Sequence, residues 1–407
     1  MQTNPEIELA WQCIERTGSH LFLTGKAGTG KTTFLRKLKQ HSPKRMIVVA
    51  PTGIAAINAG GVTIHSFFQL PFAPHIPETT FNSKQSHYKF GKEKIKIIRS
   101  IDLLVIDEIS MVRADLLDAI DAVLRRYRDR FKPFGGVQLL LIGDLQQLAP
   151  VVKDDEWALL NNYYKTPYFF GSLALKETTF ITIQLEHVYR QSDSKFLTLL
   201  NRIRTNNIDQ ALLAELNKRY IPGFHPKDDE GYITLTTHNY QAQRINDKYL
   251  ALLPGRPVTY KAEITGTFPE TAYPADIDLT LKPGAQIMFI KNDLSNEKRY
   301  YNGKIGEILS VDRDRILVRG KGDSNTFLLE KEEWSNSKYT LNEVSKEIVE
   351  EVEGTFKQYP VRLAWAITIH KSQGLTFERA IIDASLSFTH GQTYVALSRC
   401  KTLEGMV

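Results

Sequence analysis

Three polar segments of the chain carry residue types suited to binding and cleaving a polyphosphate. The first, Gly25–Thr33, reads Gly-Lys-Ala-Gly-Thr-Gly-Lys-Thr-Thr and satisfies the spacing G-x-x-x-x-G-K-[ST]. Glycines let backbone N–H groups turn toward phosphate oxygens, and the start of a helix adds a favourable dipole. Lys31 is then expected at the β- and γ-phosphates and the Thr32 hydroxyl at Mg²⁺. This segment predicts a nucleoside triphosphate site.

The other two segments each follow an apolar run. Ile101–Glu108 ends in two acids: Asp107 is suited to the Mg²⁺ shell, and Glu108 to orienting and deprotonating the attacking water. Leu139–Ile142 leads into Gly143-Asp-Leu-Gln-Gln-Leu-Ala-Pro150, where a glutamine can hydrogen-bond the γ-phosphate. An Asp-Glu pair after a strand is common by itself, but behind the first segment it indicates hydrolysis.

The elements that must position these segments alternate between strand and helix. The apolar runs Leu21–Leu23, Met46–Ala50 and Leu139–Ile142 are typical of buried parallel strands, and residues 111–130 show helical spacing. Four such βα units predict a doubly wound α/β sheet with ligands at the carboxyl ends of its strands. All three polar segments fall at that edge, which predicts an ATPase.

Composition bounds the class of protein. The 407 residues allow two or three domains, and 42% hydrophobic with 24% charged residues is typical of globular proteins. No apolar run approaches the ~20 residues that span a bilayer, and residues 1–20 carry acids without a signal-peptide core. Two cysteines exclude a zinc cluster, and a reducing, cytoplasmic setting is expected. A net charge of +6 permits nucleic-acid binding without indicating it.

Further along the chain the pattern changes. A strand at Ile181–Leu185 is expected to open a second block, and residues 255–357 contain short β-like runs separated by Gly and Pro, which predicts a β-rich insert. Residues 66–98, with Pro71-Phe-Ala-Pro74, read as an excursion from the first sheet. Its basic part, Lys84–Lys96, fits either a groove that follows a nucleic-acid backbone or a solvated charged face.

Seven ordered motifs resemble a known family. They are Gly-Lys-Ala-Gly-Thr-Gly-Lys-Thr, Ala-Pro-Thr-Gly-Ile-Ala-Ala, Ile-Asp-Glu-Ile-Ser-Met, Gly-Asp-Leu-Gln-Gln-Leu-Ala-Pro-Val, Val-Tyr-Arg-Gln, Thr-Ile-His-Lys-Ser-Gln-Gly and Tyr-Val-Ala-Leu-Ser-Arg. Their order is similar to that of superfamily-one helicases, above all the Pif-type (petite integration frequency) 5′-to-3′ DNA helicases and more distantly RecD-like enzymes. The run Asp115–Asp121 also looks like the segment that marks the Pif-type branch.

The resemblance implies an architecture. Two RecA-like domains would bind ATP in the cleft between them, the first at residues 1–180 and the second at 181–254 plus 358–407. The β-rich residues 255–357 would be a small SH3-type barrel inserted in the second domain. Residues 66–98 would be a small wedge that separates strands. The chain stops just after the last motif, so a bare helicase core is expected. A monomer is the default that the family resemblance implies.

The resemblance also assigns roles to residues. The expected catalytic set is Lys31, Glu108, Gln147 and two arginine fingers, Arg190 and Arg399, which compensate transition-state charge. Residues expected at ATP are Gly25, Ala27, Gly28, Thr29, Gly30, Lys31, Thr32, Thr33, Asp107, Gln147 and Gly374, with Thr32 and Asp107 at Mg²⁺. Residues expected at single-stranded DNA are Thr52, Gly53, His65, Ser66, Phe67, Thr237, His238, Asn239, His370, Lys371, Ser372 and Gln373. Of these, Phe67 or His65 is the predicted base-stacking ring, although a histidine packed in the core is an alternative for each imidazole.

Three functions remain open at this point. The first is an ATP-dependent 5′-to-3′ DNA helicase acting on tailed duplex or on structured DNA such as quadruplexes. The second is a DNA-stimulated translocase or switch ATPase that does not separate strands. The third, a binding module with a vestigial nucleotide site, has no need of the full catalytic set. A nuclease is disfavoured because no further carboxylate cluster suits a second metal site.

Overall fold

The computed structural model describes residues 4–71, 73–77, 90–189, 193–226, 230–293, 295, 297–341, 348–387, 389 and 391–407. The chain divides into two compact units, residues 1–189 with 337–352 and residues 190–336 with 353–407. Each unit contains a parallel sheet with helices, and the second also contains antiparallel sheets. The predicted α/β class with two RecA-like units is confirmed. None of the helices in the described ranges has both the length and the apolar character needed to cross a bilayer.

The sheet of the first unit has six parallel strands in the order β3-β2-β4-β5-β1-β6. The strands are β1 (His20–Gly25), β2 (Met46–Ala50), β3 (Val62–Thr63), β4 (Leu103–Ile106), β5 (Gln138–Gly143) and β6 (Phe180–Leu185). Every residue of β4 and β5 is buried, as expected of apolar runs covered on both faces.

Helices cover both faces of this sheet. They are α1 (Pro5–Arg16), α2 (Lys31–His41), α3 (Gly53–Ala59), α4 (Ile64–Phe68), α5 (Lys92–Ser100), α6 (Ala114–Tyr127), α7 (Asp154–Leu160) and α8 (Leu173–Lys176), with 3₁₀ turns at Ile109–Met111, Pro133–Gly136 and Phe169–Gly171. Because successive strand residues point to opposite faces, Leu104 and Ile106 join one core while Leu103 and Val105 join the other.

The boundary between the units differs from the predicted one. Residues 181–185 were expected to open the second domain, but β6 pairs in parallel with β1 along its whole length and completes the first sheet. The alternating pattern identified a strand and carried no information about its partner. Residues 337–352, expected in the insert, also belong to the first unit. There the Tyr339 ring packs edge-on against Phe67, with ring centroids 5.9 Å apart.

The second unit combines a small parallel sheet with helices. Its described helices are α9 (Ser194–Arg204), α10 (Gln210–Asn217), α11 (Asn239–Leu252) and α12 (Gln392–Leu397), and a 3₁₀ turn lies at Glu270–Ala272. Its first strand, β7 (Ile233–Thr236), lies between two strands from the end of the chain, Ala366–Thr368 and Ala380–Ile382, and pairs with both in parallel.

In sequence, the antiparallel strands lie between helix α11 and the strand Ala366–Thr368. They are β8 (Val258–Lys261), β9 (Glu263–Gly266), β10 (Asp278–Leu281), β11 (Gln286–Phe289), β12 (Ile305–Val311), β13 (Ile316–Gly320), β14 (Thr326–Leu329), β15 (Glu332–Leu341), β16 (Ile348–Gln358) and β17 (Val361–Leu363), so the parallel strands that follow are β18 (Ala366–Thr368) and β19 (Ala380–Ile382). A five-stranded sheet has the order β14-β13-β12-β11-β17. The β-rich part therefore extends to Leu363, beyond the predicted end at residue 357.

The predicted wedge at residues 66–98 contains parts of α4 and of α5, while its residues 72 and 78–89 lie outside the described residues. Within the described part, the Phe90 ring packs against Tyr127 of α6, with ring centroids 5.0 Å apart and planes inclined at 30°. The strand-separating role remains a prediction.

The acidic run on α6 has a structural explanation. Asp115 pairs with the Arg113 guanidinium through both carboxylate oxygens, at 2.9 and 2.8 Å. The buried Asp118 accepts hydrogen bonds from the Tyr164 and Ser172 hydroxyls and from two backbone N–H groups at the start of α8. A buried carboxylate is tolerated when its oxygens are satisfied in this way. This run therefore connects α6 to the segment between β5 and β6.

Candidate functional site

The loop between β1 and α2 has the backbone shape that phosphate binding requires. A Cβ on Gly25 would lie 2.7 Å from the Leu185 carbonyl oxygen, so only glycine fits there. Gly30 takes φ 92° immediately before α2 and thereby directs the chain into the helix. The Lys31 ammonium donates to the carbonyl oxygens of Gly25 at 2.6 Å and Lys26 at 2.9 Å. It is therefore held over the loop, at the start of α2.

Sheet order brings the three polar segments together. Strands β4, β5 and β1 are consecutive neighbours, with Ile106 level with Leu141 and Thr24 level with Gly143. Their carboxyl ends therefore present Asp107, the Gly143–Pro150 segment and the Gly25–Thr33 loop side by side. This is the crevice at which parallel α/β sheets bind ligands.

Asp107 and Glu108 are consecutive acids at the end of β4. Burial raises the pKa of Asp107 to about 6, opposed by the hydrogen bond from the Glu108 N–H and by the nearby Lys31 ammonium. That N–H donates to Asp107 Oδ1 at 2.9 Å. Glu108 adopts φ 51° and ψ 44°, the left-handed region that a side chain with a Cβ rarely occupies. The backbone therefore leaves the extended conformation of β4 at this residue.

Gln147 is buried, and Asp144 positions it. The Gln147 side-chain N–H donates to Asp144 Oδ2 at 3.3 Å, and its backbone N–H donates to the Asp144 carbonyl at 2.9 Å. Asp144 is fully buried and also accepts from the Gln146 N–H at 3.2 Å. Sequence reasoning assigned no role to Asp144. Its signal was an acid three residues before the glutamine, directly after a buried strand.

The residues of the second unit that were predicted at the nucleotide are not shown at a nucleotide site. Arg190 lies outside the described residues. Arg399 is fully buried, and its guanidinium donates to Val395 O and Ser398 Oγ, each at 2.8 Å. Gly374 is exposed and takes φ 81°. The arginine-finger roles stay predictions, and Arg399 would have to exchange these hydrogen bonds to reach a phosphate.

The predicted DNA-contact residues fall at the carboxyl ends of strands. In the first unit, Thr52 follows β2 and caps α3 by accepting the Ala55 N–H at 3.2 Å. In the second unit, β7 and β18 are parallel neighbours, so residues 237–239 and 370–373 emerge side by side. Their side chains differ in exposure. Those exposed are Thr52, Ser66, Asn239 and Lys371, and those partly exposed are Gly53, His65, His238, His370 and Gln373.

Three members of that set are buried. Phe67 is 3% exposed and lies in the core against Phe68 and Tyr339, so of the two rings predicted to stack on a base only His65 is partly exposed. Ser372 is fully buried and its hydroxyl donates to the Ile369 carbonyl at 2.7 Å. The buried Thr237 hydroxyl is likewise engaged, as described below. Residue type alone did not distinguish these structural side chains from surface ones.

Burial also affects two of the histidines. It lowers the pKa of His65, as does the Arg113 guanidinium, while Asp115 acts in the opposite direction. Burial and the neighbouring His238 lower the pKa of His370. Both imidazoles are therefore neutral at pH 7. They are suited to packing and hydrogen bonding rather than to a charge interaction with phosphate.

The order of motifs and their geometry agree with comparisons to known proteins. A family model described as PIF1-like helicase matches residues 7–212. A Bdellovibrio bacteriovorus protein named ATP-dependent DNA helicase Pif1 is 32% identical over all of this chain and 87% of its own length. The chain belongs to the PIF1-like helicase family. A human protein named ATP-dependent DNA helicase PIF1 is also 32% identical, over 99% of this chain and 61% of its own length.

Solved structures of PIF1-like helicases support the fold along the whole chain. The crystal structure of Bacteroides sp Pif1 in complex with ADP-AlF4 is 42% identical, with a TM-score of 0.92 over 100% of this chain and 92% of that one. Bacteroides Pif1 bound to single-stranded DNA matches over the same shares with a TM-score of 0.69. The family predicted from the ordered motifs is confirmed.

Tyr189 is a second residue that sequence reasoning missed at the nucleotide loop of this PIF1-like helicase. It is 59% exposed, and its ring lies 3.7 Å from the position that a Cβ on Gly30 would occupy. Its N–H donates to the Gly28 carbonyl at 2.8 Å, and the His187 ring packs edge-on against it at 4.3 Å. An aromatic residue just after β6 was the available signal, but β6 had been assigned to the other domain.

Proposed function

We propose that this PIF1-like helicase is an ATP-dependent DNA helicase that moves 5′ to 3′ on single-stranded DNA and opens duplex ahead of it. The observation that carries the proposal is the adjacency of β4, β5 and β1, which groups Lys31, Glu108 and Gln147 at one edge of one sheet. The named activity of the Bdellovibrio and human relatives supports it.

The first step is binding of ATP at the Gly25–Thr33 loop. Backbone N–H groups of the loop and the first turn of α2 receive the phosphates, and Lys31 exchanges its two carbonyl partners for phosphate oxygens. The exposed ring of Tyr189 beside Gly30 offers a face on which the nucleotide base stacks.

Mg²⁺ is the metal that this donor set fits. The exposed Thr32 hydroxyl and the Asp107 carboxylate are hard oxygen ligands, and Asp107 lies close enough to Lys31 for their charges to interact. These two residues would hold the ion, which neutralises charge on the phosphates when bound. The other steps of hydrolysis are carried out by amino-acid side chains.

Hydrolysis then depends on Glu108 and Gln147. The Glu108 carboxylate orients a water molecule and accepts its proton as the oxygen attacks the γ-phosphorus. The bond from that phosphorus to the β–γ bridging oxygen breaks, and ADP leaves with the electron pair. Gln147, held by Asp144, donates to a γ-phosphate oxygen and loses that hydrogen bond when phosphate leaves. Arg190 and Arg399 complete the transition-state stabilisation from the second unit.

DNA contacts come from polar groups at the strand ends of both units. The exposed Thr52, Ser66, Asn239 and Lys371 are suited to the phosphates of a single strand. The complex of Bacteroides Pif1 with single-stranded DNA supports this partner. We further propose that one chain is the active species.

The test is unwinding of two partial duplexes that differ only in whether the single-stranded tail is 5′ or 3′. Opening of the 5′-tailed duplex alone is expected, with a rate proportional to enzyme concentration for a monomer. Glu108→Gln should abolish both opening and ATP hydrolysis while binding of single-stranded DNA persists. Glu8→Gln, at an exposed carboxylate on α1, is the matched control and should leave the rates unchanged.

Every outcome besides the expected one changes a specific part of the proposed function. If neither duplex opens while single-stranded DNA still accelerates hydrolysis, the chain is a translocase that does not separate strands. Opening of only the 3′-tailed duplex would refute the polarity. Full activity of Glu108→Gln would refute the assignment of the base.

A further inference from the structure

An exposed tyrosine lies among the predicted DNA-contact residues and has no role in the mechanism above. Tyr240 is the second residue of α11, which begins directly after residues 237 and 238 at the carboxyl end of β7. Its side chain is 63% exposed, so the ring is not a core residue. Under the proposed function, single-stranded DNA would pass next to Tyr240.

The Tyr240 ring has a rigid support on one side. It packs against the His238 imidazole, with ring centroids 5.5 Å apart and planes inclined at 48°. We refer to these two residues as the His238–Tyr240 pair. A ring that leans on another ring at the start of a helix loses little further freedom when a ligand binds, which favours affinity.

The histidine of the pair is itself held in place. Its Nδ1 lies 2.8 Å from the Thr237 hydroxyl, and that hydroxyl donates to Gln241 Oε1 at 3.1 Å. The same Gln241 oxygen accepts the His238 backbone N–H at 3.2 Å. These contacts explain why Thr237 is buried although it was predicted at DNA: its hydroxyl orients His238 instead.

The neighbouring strand adds polar groups beside the pair. β18 is parallel to β7 and carries His370 and the exposed Lys371 just past its carboxyl end. His370 lies close enough to His238 for that imidazole to contribute to the lowered pKa of His370. Lys371 and the N–H groups of the first turn of α11 are suited to phosphates. Polar groups suited to the phosphates of single-stranded DNA therefore lie next to an aromatic ring suited to its bases.

This juxtaposition determines the ligand chemistry. Phosphate contacts position a strand without engaging its bases, whereas an exposed aromatic face binds any base by stacking. Of the two rings expected to stack on sequence grounds, Phe67 is buried, and His65 is partly exposed but lies in the first unit. We propose that Tyr240, supported by His238, stacks on a base of the single-stranded DNA that crosses the second unit. This proposal rests on the proposed function and names the residue that stacks on a base.

The test compares two strands of equal length that share their phosphates and differ in their bases. One is an oligothymidylate and the other carries abasic tetrahydrofuran nucleotides throughout, both labelled for fluorescence anisotropy and titrated without nucleotide. Tyr240→Ala should weaken binding of the thymidylate strand about tenfold, within the range that stacking of one base provides. Its affinity for the abasic strand should equal that of wild type.

Two further variants separate stacking from folding. Tyr240→Phe keeps the ring and should bind the thymidylate strand like wild type. Tyr220→Ala removes a tyrosine of the same unit that is 76% exposed and outside the predicted contacts, and it should change neither affinity. ATP hydrolysis without DNA should be equal in all variants, which excludes damage to the nucleotide site.

The remaining outcomes overturn the proposal. An equal loss on both strands would mean that Tyr240 acts through phosphates or through the fold, and no loss on either strand would mean that it does not touch DNA. If wild type binds neither strand, the proposed function fails first and the stacking role falls with it. Failure of the proposed function is distinguishable from failure of the stacking role because it is seen with wild type alone.

Discussion

The left-handed backbone of Glu108 leads to a prediction in which two equally inactive variants differ in stability. Glu108 has φ 51° and ψ 44°, so any residue with a Cβ is strained there, whereas glycine is not. The comparison that isolates this strain is Glu108→Ala against Glu108→Gly, because both variants lack the carboxylate and differ by one methyl group.

The magnitude follows from two opposing contributions. A left-handed conformation costs a residue with a Cβ about 1–2 kcal/mol, which the glycine variant avoids. Glycine also gives the unfolded chain more freedom, which costs about 0.4–1 kcal/mol. The net expectation is that Glu108→Gly is more stable than Glu108→Ala by about 1 kcal/mol. For a unit of this size the thermal midpoint would rise by roughly 2–4 °C.

Urea unfolding followed by tryptophan fluorescence provides the measurement, since Trp11 and Trp157 both lie in the first unit. Neither variant should hydrolyse ATP. The control is Lys132→Ala against Lys132→Gly, at an exposed residue with φ −104° and ψ 133°, where the glycine variant should be the less stable one. If Glu108→Gly is also the less stable of its pair, Glu108 does not hold the left-handed conformation and the strain argument is refuted.

Two other predictions follow from the site and from the second unit. Asp144→Asn should lower kcat for DNA-stimulated ATP hydrolysis about tenfold with a smaller change in KM for ATP, because Gln147 loses a charged hydrogen-bond acceptor; an unchanged kcat would exclude a positioning role for Asp144. Burial raises the pKa of Asp293, but hydrogen bonds from Arg299 and the Ser295 N–H outweigh it, and the net pKa lies below its ordinary value. Asp293 should therefore stabilise the fold fully at pH 7 and progressively less below about pH 4. In urea unfolding, wild type should exceed Asp293→Asn in stability at pH 7, and the difference should shrink toward pH 3; a constant difference would contradict the pKa argument.

The sequence by itself determined the family, the nucleotide loop and most elements of the first unit. The reason is local: Gly25–Thr33 matches a motif in which each residue type is required by contacts within the loop. Buried strands such as Met46–Ala50 are recognisable because an element covered on both faces must be apolar throughout. Asp107 and Glu108 were identified because they directly follow such a strand.

Tertiary structure decided the properties that depend on which elements become neighbours. The alternating pattern of β6 predicts a strand, but only pairing with β1 assigns it to the first unit. Phe67 is an aromatic residue within a predicted DNA segment and Tyr240 directly follows another, yet packing buries the first and leaves the second exposed. Asp144 acquires a role because the turn after β5 brings its carboxylate to Gln147. Local sequence specifies an element, whereas burial and pairing are properties of the folded assembly of elements.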